Sequence, residues 1–190
     1  MKININWLLC LGILMMTLSC DYHKSLLPEN IKCRCILSPT SAGHDTYLIE
    51  VSESGIIRTD FGWLPNAVLQ LITQDTLIAL CDTNLVEGIE KHGERKISEG
   101  SYSHLLELLD HSKGLKCDNP FVEGWADDAW LVVLMTETDQ FVFLLGEEPN
   151  ETIKLIVNEL TSLSPIPFVE WPLTGGREKV ELDLPDSLLD

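Results

Sequence analysis

The clearest pattern along the chain is a set of apolar runs whose spacing changes from one segment to the next. Trp7 to Met16 is continuously apolar or nearly so, with Lys2 before it and Thr17, Leu18, Ser19 and Cys20 after it. Ile31 to Leu37 sets apolar or cysteine residues around Lys32 and Arg34, the two-residue period of a strand with one face buried and one wet. Tyr47–Val51 and Ile56–Asp60 are β-rich runs flanking Ser52, Glu53, Ser54 and Gly55, which predicts a hairpin. A second hairpin is predicted from Trp130–Thr136 and Gln140–Leu145 around Glu137, Thr138 and Asp139. Its continuous apolar runs suit strands covered on both faces. Helical spacing dominates twice. Ser101 to Lys113 carries Tyr102, Leu105, Leu106 and Leu109 on one face and meets a stop at Gly114. A helix opened by Pro149 and Asn150 aligns Ile153, Ile156, Val157, Leu160 and Leu163 before Pro165 and Pro167 end it.

The connections are less defined. Pro39 to Asp45 reads as a loop, Asn66 to Thr73 fits either a short helix or a strand, and Leu77 to Cys81 is strand-like. Asp82 to Arg95, rich in glycine and charge, reads mostly as connection, while Val169 and Trp171 suit an edge strand. The order hairpin, helix, hairpin, helix predicts an α+β domain: a mainly antiparallel sheet built from hairpins, with two helices packed on one face.

The first twenty residues change the setting of everything after them. The apolar run is too short for the ~20 residues a spanning helix needs, and it ends at Ser19-Cys20. This start resembles the signal peptide and lipobox of bacterial lipoproteins, with Thr17 where leucine is commoner and Leu18 one place later. The resemblance covers the leader and its cleavage point only. It implies cleavage before Cys20, acylation of that cysteine, and tethering to the inner or outer membrane of a bacterial envelope. The expected organisation is a leader over 1–19, a lipidated tether over 20–30, one globular domain over 31–172 and an acidic, mobile tail over 173–190. Asp21 resembles an inner-membrane retention signal used by some gram-negative bacteria, and other groups read that position differently.

Charge narrows the partners. The chain has 190 residues and a formal charge of −17. Loss of the leader removes Lys2, leaving 12 basic against 30 acidic residues, or −18. Such a field repels nucleic acid and anionic headgroups. The expected contacts are the membrane, through the lipid, and an unidentified protein or envelope polymer. A basic toxin or enzyme neutralised by an inhibitor-type lipoprotein is the specific alternative. A small envelope hydrolase is a third.

Cys10 leaves with the leader and Cys20 takes the lipid, so Cys33, Cys35, Cys81 and Cys117 remain. In an oxidising envelope an even number suggests disulfides. Cys33 and Cys35 lie two apart on one strand face, poorly placed to join each other, so each is expected to bridge to Cys81 or Cys117, with free buried thiols as the alternative. A four-cysteine zinc site wants wider spacing between paired ligands.

Other polar groups are weighed against ordinary roles. His104, Glu107 and His111 share one helix face, but the histidines stand two turns apart, too far for one ion, so a solvated face is expected. Trp125, Asp127 and Asp128 precede the strand at Trp130 and form a candidate binding patch, although adjacent residues of an extended chain point apart. Trp63, Trp125, Trp130 and Trp171 read as core pieces in preference to a sugar platform. No nucleophile elbow, phosphate loop, dinucleotide turn or His-Glu-x-x-His motif is present in the sequence, so no catalytic residue, metal or cofactor is assigned. Asn150-Glu151-Thr152 matches the N-glycosylation triplet, a chance match in a bacterial setting.

Overall fold

Strand β1, Ile31–Pro39, lies in the interior of the sheet because both of its edges find an antiparallel partner. On one side Cys35 stands opposite Ile49 of β2 (Thr46–Ser52), and on the other it stands opposite Leu134 of β5 (Trp130–Thr136). A computed structural model describes residues 27–40, 45–64, 86–116 and 129–169. Within them, β2 continues to β3 (Ile56–Trp63) and β3 to β4 (Glu87–Lys96), while β5 pairs with β6 (Gln140–Leu144). The order is β4-β3-β2-β1-β5-β6, antiparallel at every pairing. The α+β architecture expected from the pattern is the one observed.

Side-chain alternation divides the core into two layers. Cys33, Cys35 and Leu37 join Ile49, Val51, Val132 and Leu134 beneath helices α1 (Glu99–His111) and α2 (Glu151–Leu163). Ile36, Leu48, Leu131, Val133 and Met135 face the other way and pack with Leu27, Leu64 and Val86. All seven residues of β5 are buried, as its unbroken apolar run predicts for a strand covered on both faces.

The helices form where the periodicity places them. Ser98 caps α1, its Oγ accepting the Ser101 N–H at 3.2 Å, and Leu105, Leu108 and Leu109 fill the buried face. Gly114 at φ +72° stops the chain beyond it. Asn150 caps α2, its Oδ1 accepting the Ile153 N–H at 3.0 Å, so the asparagine of the glycosylation-like triplet has a structural role. Ile153, Ile156, Val157 and Leu160 are buried and Leu163 partly so. Tyr102 ties α1 to the β2–β3 turn, its hydroxyl donating to the Glu53 carbonyl at 2.8 Å.

The structure departs from expectation at several places. Residues 87–95, expected as connection, join Lys96 in strand β4, in which only Gly93 is even partly sheltered. An edge strand has one neighbour, so its ladder forms without an apolar face to announce it. Near its start the register with β3 shifts between Phe61 and Trp63, and Gly88 adopts φ +54°. Strand β1 runs on through Pro39, which stands opposite Trp130 at the strand end and needs no donor there. Val169 has no strand structure; its neighbour Phe168 packs edge-on against Tyr47 and Trp130, at 5.2 and 5.1 Å between ring centroids. Among the described residues no helix is long and apolar enough to cross a membrane. The expectations for Cys20, Asn66–Thr73, Leu77–Cys81, Trp171 and the tail lie outside the described residues.

Candidate functional site

Charged side chains meet on two parts of the sheet. The first crosses the face away from the helices. Strand register sets Arg34 opposite Glu50, Glu50 opposite Arg58 and Arg58 opposite Glu94, with Asp60 opposite His92 in the next row. Arg34 is fully buried, Glu50 is 4% exposed and Asp60 5%. Arg34 Nε donates to Glu50 Oε1 at 2.8 Å and its Nη2 to the same oxygen at 2.5 Å. Arg58 Nη2 reaches Glu50 Oε2 at 2.7 Å and its Nε lies 3.4 Å from Asp60 Oδ2. His92 Nδ1 is 2.5 Å from Asp60 Oδ1. Opposite charges therefore alternate from the buried centre of the sheet to its open edge, where Arg58 and His92 reach solvent. A buried carboxylate or guanidinium is tolerated only with such partners.

Arg34 corrects the expectation that the polar half of β1 faces water. The signal was in the sequence as spacing: about the turn at 52–56, Glu50 and Arg58 fall opposite each other as complementary charges. Arg34's pairing with Glu50 needed the β1–β2 register, which pattern alone does not supply.

The second cluster lines a cleft of about 240 Å³ between the C-terminal half of α1, the start of β1 and the β5–β6 turn. Leu106 and Leu109 supply apolar surface, and Lys32, Asp110, Lys113 and Glu137 the charges. Lys32 Nζ bridges Glu137 Oε1 at 2.6 Å and Glu53 Oε1 at 3.0 Å. Its hydrogen bond to Glu137, aided by Glu53, holds the ammonium charged well above the ordinary lysine range. Lys113 Nζ donates to Asp110 Oδ1 at 2.6 Å, which lowers the acid's pKa and raises the lysine's. Asp139 Oδ2 accepts the Gly114 N–H at 3.4 Å and joins the end of α1 to the turn. The sequence did not reveal this cleft, because its walls come from segments about a hundred positions apart.

Cys33 and Cys35 are free thiols, both fully buried under the helices, and the partners expected to bridge to them lie outside the described residues. Their side chains are enclosed by the core, where burial pushes the Cys33 thiol up to about 12 and raises Cys35 as well. Cys81 and Cys117, like Trp125, Asp127 and Asp128, lie outside the described residues. His104, Glu107 and His111 are all exposed, as a solvated face requires. Among the described residues no group of three His, Cys, Asp or Glu side chains is placed to hold a metal ion. Trp130 is buried in the aromatic cluster with Tyr47 and Phe168, whereas Trp63 is 39% exposed at the end of β3.

Both clusters are held by ion pairs already made. The deep one has its acids and bases neutralised against one another, and the cleft is open and its charged groups largely wet. No protein-family model, no curated protein and no solved structure matches the chain.

Proposed function

We propose that the protein is a lipid-anchored bacterial envelope lipoprotein whose α+β domain is a non-catalytic binding or accessory module. The observation that carries this reading is the leader ending in Ser19-Cys20. Six residues separate Cys20 from Leu27, the first described residue. Even fully extended, they span about 20–25 Å, so acyl chains on Cys20 hold the domain close to the bilayer surface. Two or more acyl chains anchor stably where one does so only marginally.

The charge of −18 left after loss of the leader, 12 basic against 30 acidic residues, favours a basic protein as partner. A strongly acidic domain confined to a membrane surface draws cationic proteins by long-range attraction and repels anionic polymers. An inhibitor-type role against a basic toxin or enzyme is the specific form of this reading.

Fractionation tests the anchor. The native chain is expected in the membrane fraction, resistant to high salt and released by detergent, and Cys20→Ser is expected to stay out of that detergent-released pool. A Cys20→Ser chain that partitions as the native one does contradicts the reading. For the partner, binding of a basic protein is expected to weaken steeply between low and high salt.

A further inference from the structure

We propose, resting on the reading that the partner is a basic protein, that the cleft beside α1 seats one lysine or arginine side chain of that partner. Its volume of about 240 Å³ lies below the ~300–1,000 Å³ of sites for drug-sized ligands. That space matches one long side chain better than a cofactor. Leu106 and Leu109 offer apolar surface to an aliphatic stem, which long basic residues lay along such surfaces while their heads stay at the polar rim.

The charged lining, Lys32 and Lys113 with Asp110 and Glu137, is balanced, and Glu53 just beyond it adds one further carboxylate. Lys32 serves two carboxylates, those of Glu53 and Glu137, with a single positive charge. Glu137 and Asp110 each accept a lysine hydrogen bond on one oxygen, and the second oxygen of each accepts none among the described residues. The C-terminal end of α1, with its partial negative charge, borders the same space. A cationic head entering here meets free carboxylate oxygens without breaking the existing pairs. A carboxylate or phosphate meets three carboxylates, those of Glu53, Glu137 and Asp110, against the two ammonium groups of Lys32 and Lys113. The cleft therefore selects a cation with an aliphatic stem.

The test is a titration of the intact chain, purified in detergent micelles, with Nα-acetyl-arginine amide, followed by amide chemical shifts. Shifts are expected at Leu109, Gly114, Glu137 and Thr138. Glu137→Gln is expected to weaken binding roughly fivefold, the size of effect a partly exposed charged contact gives. Glu147→Gln is the matched control: it removes the same charge beyond β6, at the far end of β5 from the cleft, and is expected to leave affinity unchanged. Equal weakening by both substitutions, or shifts scattered over the acidic surface, overturns the cleft as a site. A basic protein that binds the chain while the cleft amides stay still also overturns it, and leaves the proposed function standing. Cleft binding in a chain that fails the fractionation test does the reverse.

Discussion

Arg34 and Glu50 face each other across β1 and β2 on the side of the sheet away from the helices, both buried and joined by two hydrogen bonds to one carboxylate oxygen. Desolvation makes each charge costly alone, so the pair is worth far less than the penalty for breaking it. Glu50→Leu is expected to destabilise the fold by about 3–5 kcal/mol, because it strands Arg34 without its carboxylate. The double change Arg34→Met with Glu50→Leu is expected to recover most of that loss. Urea unfolding of the single and double variants checks both, and a double variant no better than Glu50→Leu contradicts the pairing.

The thiols give a pH dependence whose sign is fixed by burial. Cys33 ionises near 9.0 when unfolded and only near about 12 when folded. Between those values the unfolded chain loses a proton that the folded chain keeps. Stability from this group is complete below pH 9 and falls as pH rises toward 12. The slope approaches about 1.4 kcal/mol per pH unit, and Cys35 adds loss in the same direction. In the native protein at pH 8, neither thiol is expected to react with a colorimetric disulfide reagent, whereas both react in denaturant. Mass mapping of labelled peptides separates them from the other cysteines.

Gly62 is constrained by approach and not by its φ. A Cβ there would meet the Val86 side chain at 2.9 Å and the Glu87 and Gly88 carbonyl oxygens at 3.0 Å. Backbone cannot yield cheaply, so Gly62→Ala is expected to cost about 1–3 kcal/mol. The loss should fall at the β3–β4 register shift, read as faster amide exchange along β4.

The pattern of the chain disclosed those elements whose formation is local. Both hairpins show themselves as β-rich runs around short polar turns, and α2 shows its stripe of Ile153, Ile156, Val157 and Leu160. Strand β4 gave no such sign, since an exposed edge needs only β3's backbone and carries Glu87, Glu90, Lys91, Glu94, Arg95 and Lys96 without penalty. The placing of β1 between β2 and β5 was equally hidden, because it depends on pairing Cys35 with Leu134 across the length of the domain. The cleft inherits that non-locality: Lys32 meets Glu137 only once β1 and β5 are neighbours.

Among the described residues strand β4 has a partner on one side only, and its charges oppose self-pairing. A symmetric antiparallel match centred on Gly93 sets Lys91 against Arg95, which offsets the complementary Glu90–Lys96 pair of the same match. Centring on His92 sets Glu90 against Glu94, and centring on Glu94 sets that residue against itself. Like charges directly opposed are destabilising, and charged edges commonly protect sheets from joining. The native chain is therefore expected not to associate through this edge. Lys91→Glu makes the Gly93-centred match complementary, since the introduced carboxylate faces Arg95 while Glu90 faces Lys96. It is expected to promote a dimer even though it raises the net negative charge. Sedimentation velocity of the two chains in matched detergent decides it.

The fate of Cys20 decides whether the domain is tethered, and intact mass spectrometry of the chain extracted from its own membranes reads that fate directly. The predicted mass is that of residues 20–190 with acyl groups on the terminal cysteine. A species that retains Met1 to Ser19, or one that begins at Cys20 with an unmodified thiol and amine, contradicts it.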